Sequence, residues 1–182
     1  VKEAPKGPSD AHALIEDNLS SINKWLKKFD YDMRVSVEKA GLTGATEIVH
    51  KKFGDKIPSN QGGSGIDYLL NFMPTCLGSK DKIILLEEPE KSLHAKMQVN
   101  LAEFFIESSE NNQLVVETHS ENLLLGILKH VREGEIDPND IKVNYVYMEN
   151  GESKIDELKI NEQGNFDTKW RHGFFTEKLD LI

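Results

Sequence analysis

The sequence predicts an α/β fold: a largely parallel sheet flanked by helices, with an added carboxyl-terminal antiparallel hairpin. Three observations carry that expectation. Residues 82–86 and 113–117 are short, continuous apolar runs of the kind found in strands buried on both faces of a parallel sheet. Each run is followed by apolar residues at spacings of three and four, which is the period of a helix stripe. Asn150-Gly151 then separates two further runs, 141–148 and 153–160, and marks a hairpin. The order strand, helix, strand, helix requires a right-handed crossover, and the ligand crevice of such a sheet lies at the carboxyl ends of its strands.

Taken in order, Ser9 is placed to cap a first helix. Leu14, Ile15, Leu19, Ile22, Trp25, Leu26 and Phe29 continue its stripe over about 20 residues. Apolar and polar residues alternate over 33–39, and a returning run follows at 46–53, so a hairpin is expected. Residues 57–65 form a turn-rich loop that ends in Gly62-Gly63-Ser64-Gly65, ahead of a helix carrying Ile66, Leu69, Leu70 and Met73. Ser92 and Ser120 are placed to cap the helices that follow the two buried runs. A tail with Trp170, Phe174 and Phe175 closes the chain.

The composition excludes several classes. With 182 residues, 38% hydrophobic and 29% charged, the chain is globular in type. No apolar run approaches the roughly 18–20 residues needed to cross a bilayer, and no secretory leader is present at the start, so a cytoplasmic protein with no membrane partner is expected. Cys76 is the only cysteine, which rules out an internal disulfide and a zinc finger. A net charge of −9 repels phosphate backbones and leaves no basic stripe for a duplex. The first residue is not methionine, and the sequence reads as part of a larger protein.

Chemistry concentrates at the strand ends. Glu87, Glu88 and Glu90 leave the first buried run at its carboxyl end, where hard oxygen donors suit magnesium and a second carboxylate suits a water held near a phosphate. A solvated acidic turn would use the same residues, but a buried run leading straight into acid and then Pro89 is the Walker B arrangement of nucleotide hydrolases. His119 follows the second buried run and is expected in the same crevice; His94 lies near it. Gly63, Ser64 and Gly65 ahead of a helix offer free N–H groups and a positive helix end to an anion. Asp30 and Asp32 form a D-x-D pattern to which no role is given. The sequence contains no Gly-Lys dipeptide, so it holds no P-loop.

Together, Gly63-Ser64-Gly65, the run 83–94 and Val115-Val116-Glu117-Thr118-His119-Ser120 resemble the carboxyl-terminal half of an ABC-type ATPase head, a P-loop NTPase-like fold. The likeness is to the SMC, RecF and OLD branch, and within it to bacterial AAA-type ATPases that end in a domain of unknown function. Gly164-Asn165-Phe166, Trp170 and Gly173-Phe174-Phe175 extend it into the tail. The resemblance implies ATP and Mg2+ as cofactors. It implies that Glu87 helps hold the metal, that Glu88 orients the attacking water, and that His119 senses the γ-phosphate. Residues 90–94, with Glu90 and His94, would be the D-loop at a dimer interface. Gly63, Ser64 and Gly65 would be the signature that completes the partner's site; this sequence has Gly63 where many relatives have serine, and its Walker B acid is Glu rather than Asp.

The same resemblance divides the chain into an arm-return helix and hairpin (1–56), an ATPase lobe (57–135) and a terminal hairpin with tail (136–182). It implies a homodimer of heads closed around ATP, a separate amino-terminal lobe carrying the P-loop, and a DNA or effector-protein partner, as in DNA repair or phage defence. Two other classes use the same residues. A metal-dependent nuclease would bind two magnesium ions through Glu87, Glu88 and Glu90, although the D-x-D after a later strand that such enzymes favour is absent. A regulatory or assembly module would keep the fold without the chemistry.

Overall fold

The computed structural model describes residues 8–40, 43–50, 54–58 and 61–167. Residues 51–53 of the expected second strand, and the tail with Trp170, Phe174 and Phe175, lie outside these. The chain divides into two units between Leu123 and Leu124.

The first unit begins with two helices, α1 (Pro8–Asp17) and α2 (Leu19–Lys28), where the sequence predicted one. The break is at Asn18. Its backbone N–H is shared between the carbonyls of Leu14 and Ile15, and its side-chain amide donates to Leu14 O at 2.9 Å. A short polar side chain that bonds the preceding turn competes with the helix ladder. Ser9, expected just ahead of the helix, is the second residue of α1.

α2 is held by its aromatic face. Trp25, Phe29 and Phe104 are fully buried, and Trp25 meets Phe104 edge-on with centroids 5.1 Å apart. Phe72 meets Phe104 at 5.9 Å. Such pairs contribute about 0.5–1.5 kcal/mol each beyond the area they bury. They join α2 to α3 (Ser64–Gly78) and α4 (Ala95–Ser109).

Between α2 and α3 runs an antiparallel sheet of β1 (Met33–Ala40), β2 (Thr43–His50) and β3 (Lys56–Pro58), in that order. The first two strands are the expected hairpin. Ile57 and Pro58 of β3 fall within residues read as loop, because three residues ending in proline carry no periodicity; proline is tolerated there at a sheet edge. Asn23 ties β1 to α2 by imitating a strand neighbour: its Oδ1 accepts the Val35 N–H at 2.7 Å and its Nδ2 donates to the Val35 carbonyl at 3.0 Å.

The parallel pair consists of β4 (Ile83–Glu87) and β5 (Gln113–Glu117), in register from Ile83↔Gln113 to Glu87↔Glu117. α4 is the crossover between them, and α5 (Glu121–Arg132) follows β5. Asn112 closes the entrance to β4, accepting from Lys82 N–H at 3.2 Å and donating to Ser79 O at 3.0 Å. Ser120 caps α5 as expected, its Oγ accepting from Leu123 N–H at 3.0 Å. Ser92 does not cap α4: it sits in a turn at φ +63°, and the helix starts only after His94.

Burial on both faces is not what β4 and β5 show. Ile84 is buried, but Ile83, Leu85 and Val115 are 68%, 74% and 50% exposed. In a parallel register these three share one sheet face, and no described residue covers it.

The second unit contains a short turn of 3-10 helix at Pro138–Asp140 and a hairpin of β6 (Val143–Glu149) and β7 (Glu152–Leu158). Asn150 and Gly151 turn it at φ +52° and +81°, the two positive values that a two-residue hairpin loop of the favoured twist requires. Gly164 holds φ +65°, and a β-carbon there would fall 2.2 Å from the Leu128 carbonyl of α5. Among the described residues no helix is long and apolar enough to cross a membrane.

Candidate functional site

The parallel register decides which groups meet. β4 and β5 end level, at Glu87 and Glu117, so the two glutamates stand side by side on the face that carries Ile83, Leu85 and Val115. Both are exposed. Like charges directly adjacent on a sheet repel, and hard carboxylate oxygens in that position fit a divalent cation such as Mg2+.

β4 leads directly into a strained turn. Glu88 holds φ +44°, and residues with a β-carbon rarely adopt this left-handed region. The ladder continues one step to hold it there, with Glu88 N–H donating to Glu117 O at 2.9 Å. The turn then closes through Lys91 N–H to Glu88 O and Leu93 N–H to Glu90 O, each at 3.0 Å.

That conformation aims Glu88 at the residue after next beyond β5. Glu88 Oε1 lies 3.7 Å from His119 Nε2, and its other oxygen lies 3.6 Å from Lys91 Nζ. The side chains of Glu88 and His119 are 39% and 69% exposed, so both reach solvent and can meet a ligand. An acid and an imidazole 31 positions apart in sequence are thus neighbours at one strand edge.

Glu90 is placed differently. It is 7% exposed, tucked under the turn, and its Oε1 accepts the His119 backbone N–H at 2.9 Å. Its Oε2 is buried with no hydrogen-bond partner among the described residues. Gln98 of α4 makes a second bridge between the two segments. It donates to Leu93 O at 2.9 Å, and its Oε1 accepts from Ser120 Oγ at 2.7 Å and Asn122 Nδ2 at 3.1 Å.

The glycine motif joins the other side of the same turn. Gly63 precedes α3 at φ +99°, a β-carbon there would meet no described atom within 4 Å, and Gly63 and Ser64 are exposed at the helix start. Gly65 is in tight contact instead: a β-carbon there would lie 2.6 Å from Tyr31 Oη and 3.1 Å from Ser92 O. His94 is exposed just before α4, and its carbonyl accepts from Met97 and Gln98 N–H. The structure therefore brings Glu87, Glu88, Glu90 and His119 together at the strand ends. It sets Gly65 against Ser92, and no described hydrogen bond or ion pair joins Gly63, Ser64 or the His94 ring to Glu88 or His119.

Glu117, Gln98 and Tyr31 belong to this arrangement and were not singled out from sequence. Glu117 was legible only through the strand register. Gln98 lies one turn into a helix on a partly buried position, which is an ordinary place for a glutamine.

The same fold occurs in solved SMC ATPase heads. The Smc head bound to the C-winged-helix domain of ScpA is similar with a TM-score of 0.63 and 16% identity, over 81% of this chain and 44% of that one. The Smc head with an extended coiled coil from Pyrococcus furiosus gives 0.61 and 17%, over 80% and 35%. An SMC ATPase from work on ATP-driven dimerization and DNA-stimulated activation gives 0.59 and 14%, over 82% and 89%. The chain thus spans less than half the length of two of these. No curated protein matches it. It belongs to the family described as "AAA domain, putative AbiEii toxin, Type IV TA system", whose profile matches residues 1–126, a span that includes every site residue named above.

Proposed function

We propose that this chain supplies the hydrolytic half of an SMC-like ATPase head, the phosphate cradle coming from a separate lobe that carries a P-loop. The observation that carries this reading is the 3.7 Å approach of Glu88 to His119, at the end of a strand whose preceding acid, Glu87, faces outward. Glu87, with Glu117 beside it, would hold magnesium on its hard oxygens. Magnesium with ATP supplies charge neutralisation at the phosphates and a cleavable terminal phosphoanhydride.

The chain's own groups have separable tasks. Glu88 Oε1 would orient a water and accept its proton as the water attacks the terminal phosphorus and ADP leaves. His119 Nε2 would donate a hydrogen bond to the terminal phosphate and so report whether it is present. The exposed N–H groups at Gly63 and Ser64, at the positive end of a 15-residue helix, face an anion brought by a second head. Lys91, Ser92 and His94 are exposed on the neighbouring turn, whose Ser92 carbonyl lies against Gly65. Binding of ATP between two heads would then favour the closed pair, and hydrolysis would release it. The resemblance read from the sequence implies DNA repair or phage defence; in either, any DNA would be gripped elsewhere, since this chain carries −9.

The test is Glu88→Gln in the protein assembled with its P-loop lobe. The amide cannot take the water's proton, so turnover should fall by about 100-fold or more while ATP is retained and the dimer persists. Hydrolysis at the wild-type rate would remove Glu88 from the role.

A further inference from the structure

The segment that carries His119 is short, and its described hydrogen bonds fall mostly on Ser120. β5 ends at Glu117 and α5 begins at Glu121. Of the three residues between, Ser120 is fixed by its own cap and by Thr118 Oγ1, which accepts the Ser120 N–H at 3.0 Å. The His119 side chain is 69% exposed, and its ring meets only Glu88 among the described polar contacts. The place of that ring is therefore set through its backbone, and the described hydrogen bond on the His119 N–H is to Glu90 Oε1 at 2.9 Å.

Glu90 is an expensive residue for a merely structural contact. A carboxyl group that is 7% exposed and has no partner for Oε2 among the described residues carries a desolvation penalty that an apolar residue would avoid. What the side chain provides in return is reach: it spans from the turn after β4 to the backbone after β5, the two segments on which Glu88 and His119 sit.

We propose that Glu90 is a positioning residue that sets the His119 imidazole opposite the Glu88 carboxyl. The role rests on the hydrolytic reading of Glu88 and His119, and it goes beyond that reading by taking Glu90 out of direct nucleotide contact. The same turn carries Lys91, Ser92 and His94 on its exposed side, so Glu90 links that surface to the His119 backbone. Gln98, bonded to Leu93 O, Ser120 and Asn122, keeps the next residues from following freely. Among the described residues, the His119 N–H is the backbone group that the Glu90 side chain holds.

Two readouts test it. In this chain, Glu90→Ala should shift the His119 amide resonance and raise its hydrogen-exchange rate by about tenfold or more, since its acceptor is gone. Glu90→Gln, whose side-chain oxygen accepts the same bond, should keep the wild-type shift and protection. In the protein assembled with its P-loop lobe, Glu90→Ala should lower kcat by about 10- to 100-fold with KM little changed, and Glu90→Gln should restore it. Glu90→Asp keeps the carboxyl and shortens its reach, and replaces Glu90→Ala should the latter not fold. A His119 amide indifferent to Glu90→Ala and Glu90→Asp overturns the proposal, as does a Glu90→Gln variant as impaired as Glu90→Ala. If Glu88→Gln leaves turnover untouched while Glu90→Ala still frees the His119 amide, the clamp stands and the hydrolytic reading falls.

Discussion

Glu88, His119 and Cys76 show how far single residues announce themselves. A strand running into paired acids and a histidine beyond a second strand are visible as letters, because the chemistry depends on residue type and on which strand end each occupies. Glu90 is visible as an acid, but its burial and its bond to the His119 backbone depend on the turn closing over it, which no spacing encodes. Cys76 is the reverse case. It lies on the buried face of α3, 2% exposed, and burial pushes its thiol up to about 12 by penalising the thiolate. In the native chain it should resist alkylation at pH 8 and react only on unfolding. A stoichiometric thiol assay with and without denaturant checks this, and rapid labelling of the native chain would contradict it.

At the scale of elements, the period of the sequence located most helices and strands but not their ends. The first helix was legible as one stripe, since Leu14 to Phe29 keep their phase; its break at Asn18 comes from a side-chain bond that pattern does not show. Ser92 reads as a cap, yet the turn needs it at φ +63° and α4 starts later. The glycine motif illustrates a tertiary demand at a local signal. Gly65 lies where α3 meets the turn after β4, and a methyl there presses on Tyr31 Oη and on the less yielding Ser92 carbonyl. Gly65→Ala should therefore cost about 1–3 kcal/mol in denaturant unfolding. Tyr31→Phe, which removes the nearest atom, should recover part of that loss; no loss in Gly65→Ala would show that the contact is slack.

At the scale of the whole chain, the α/β class and the convergence of two distant segments followed from the order of elements, because a crossover between parallel strands puts their carboxyl ends at one edge. The openness of the face bearing Ile83, Leu85 and Val115 did not follow, since a continuous apolar run says that a strand is suited to burial and not what covers it. The central claim is that Glu88 and His119 act as one site, and a double-mutant cycle on ATP turnover in the protein assembled with its P-loop lobe tests it most directly. Groups acting as a unit are strongly non-additive. We expect His119→Ala and Glu88→Gln each to lower kcat sharply, and the double variant to be about as slow as Glu88→Gln alone; losses that multiply in full, or a His119→Ala variant as fast as wild type, would contradict the account.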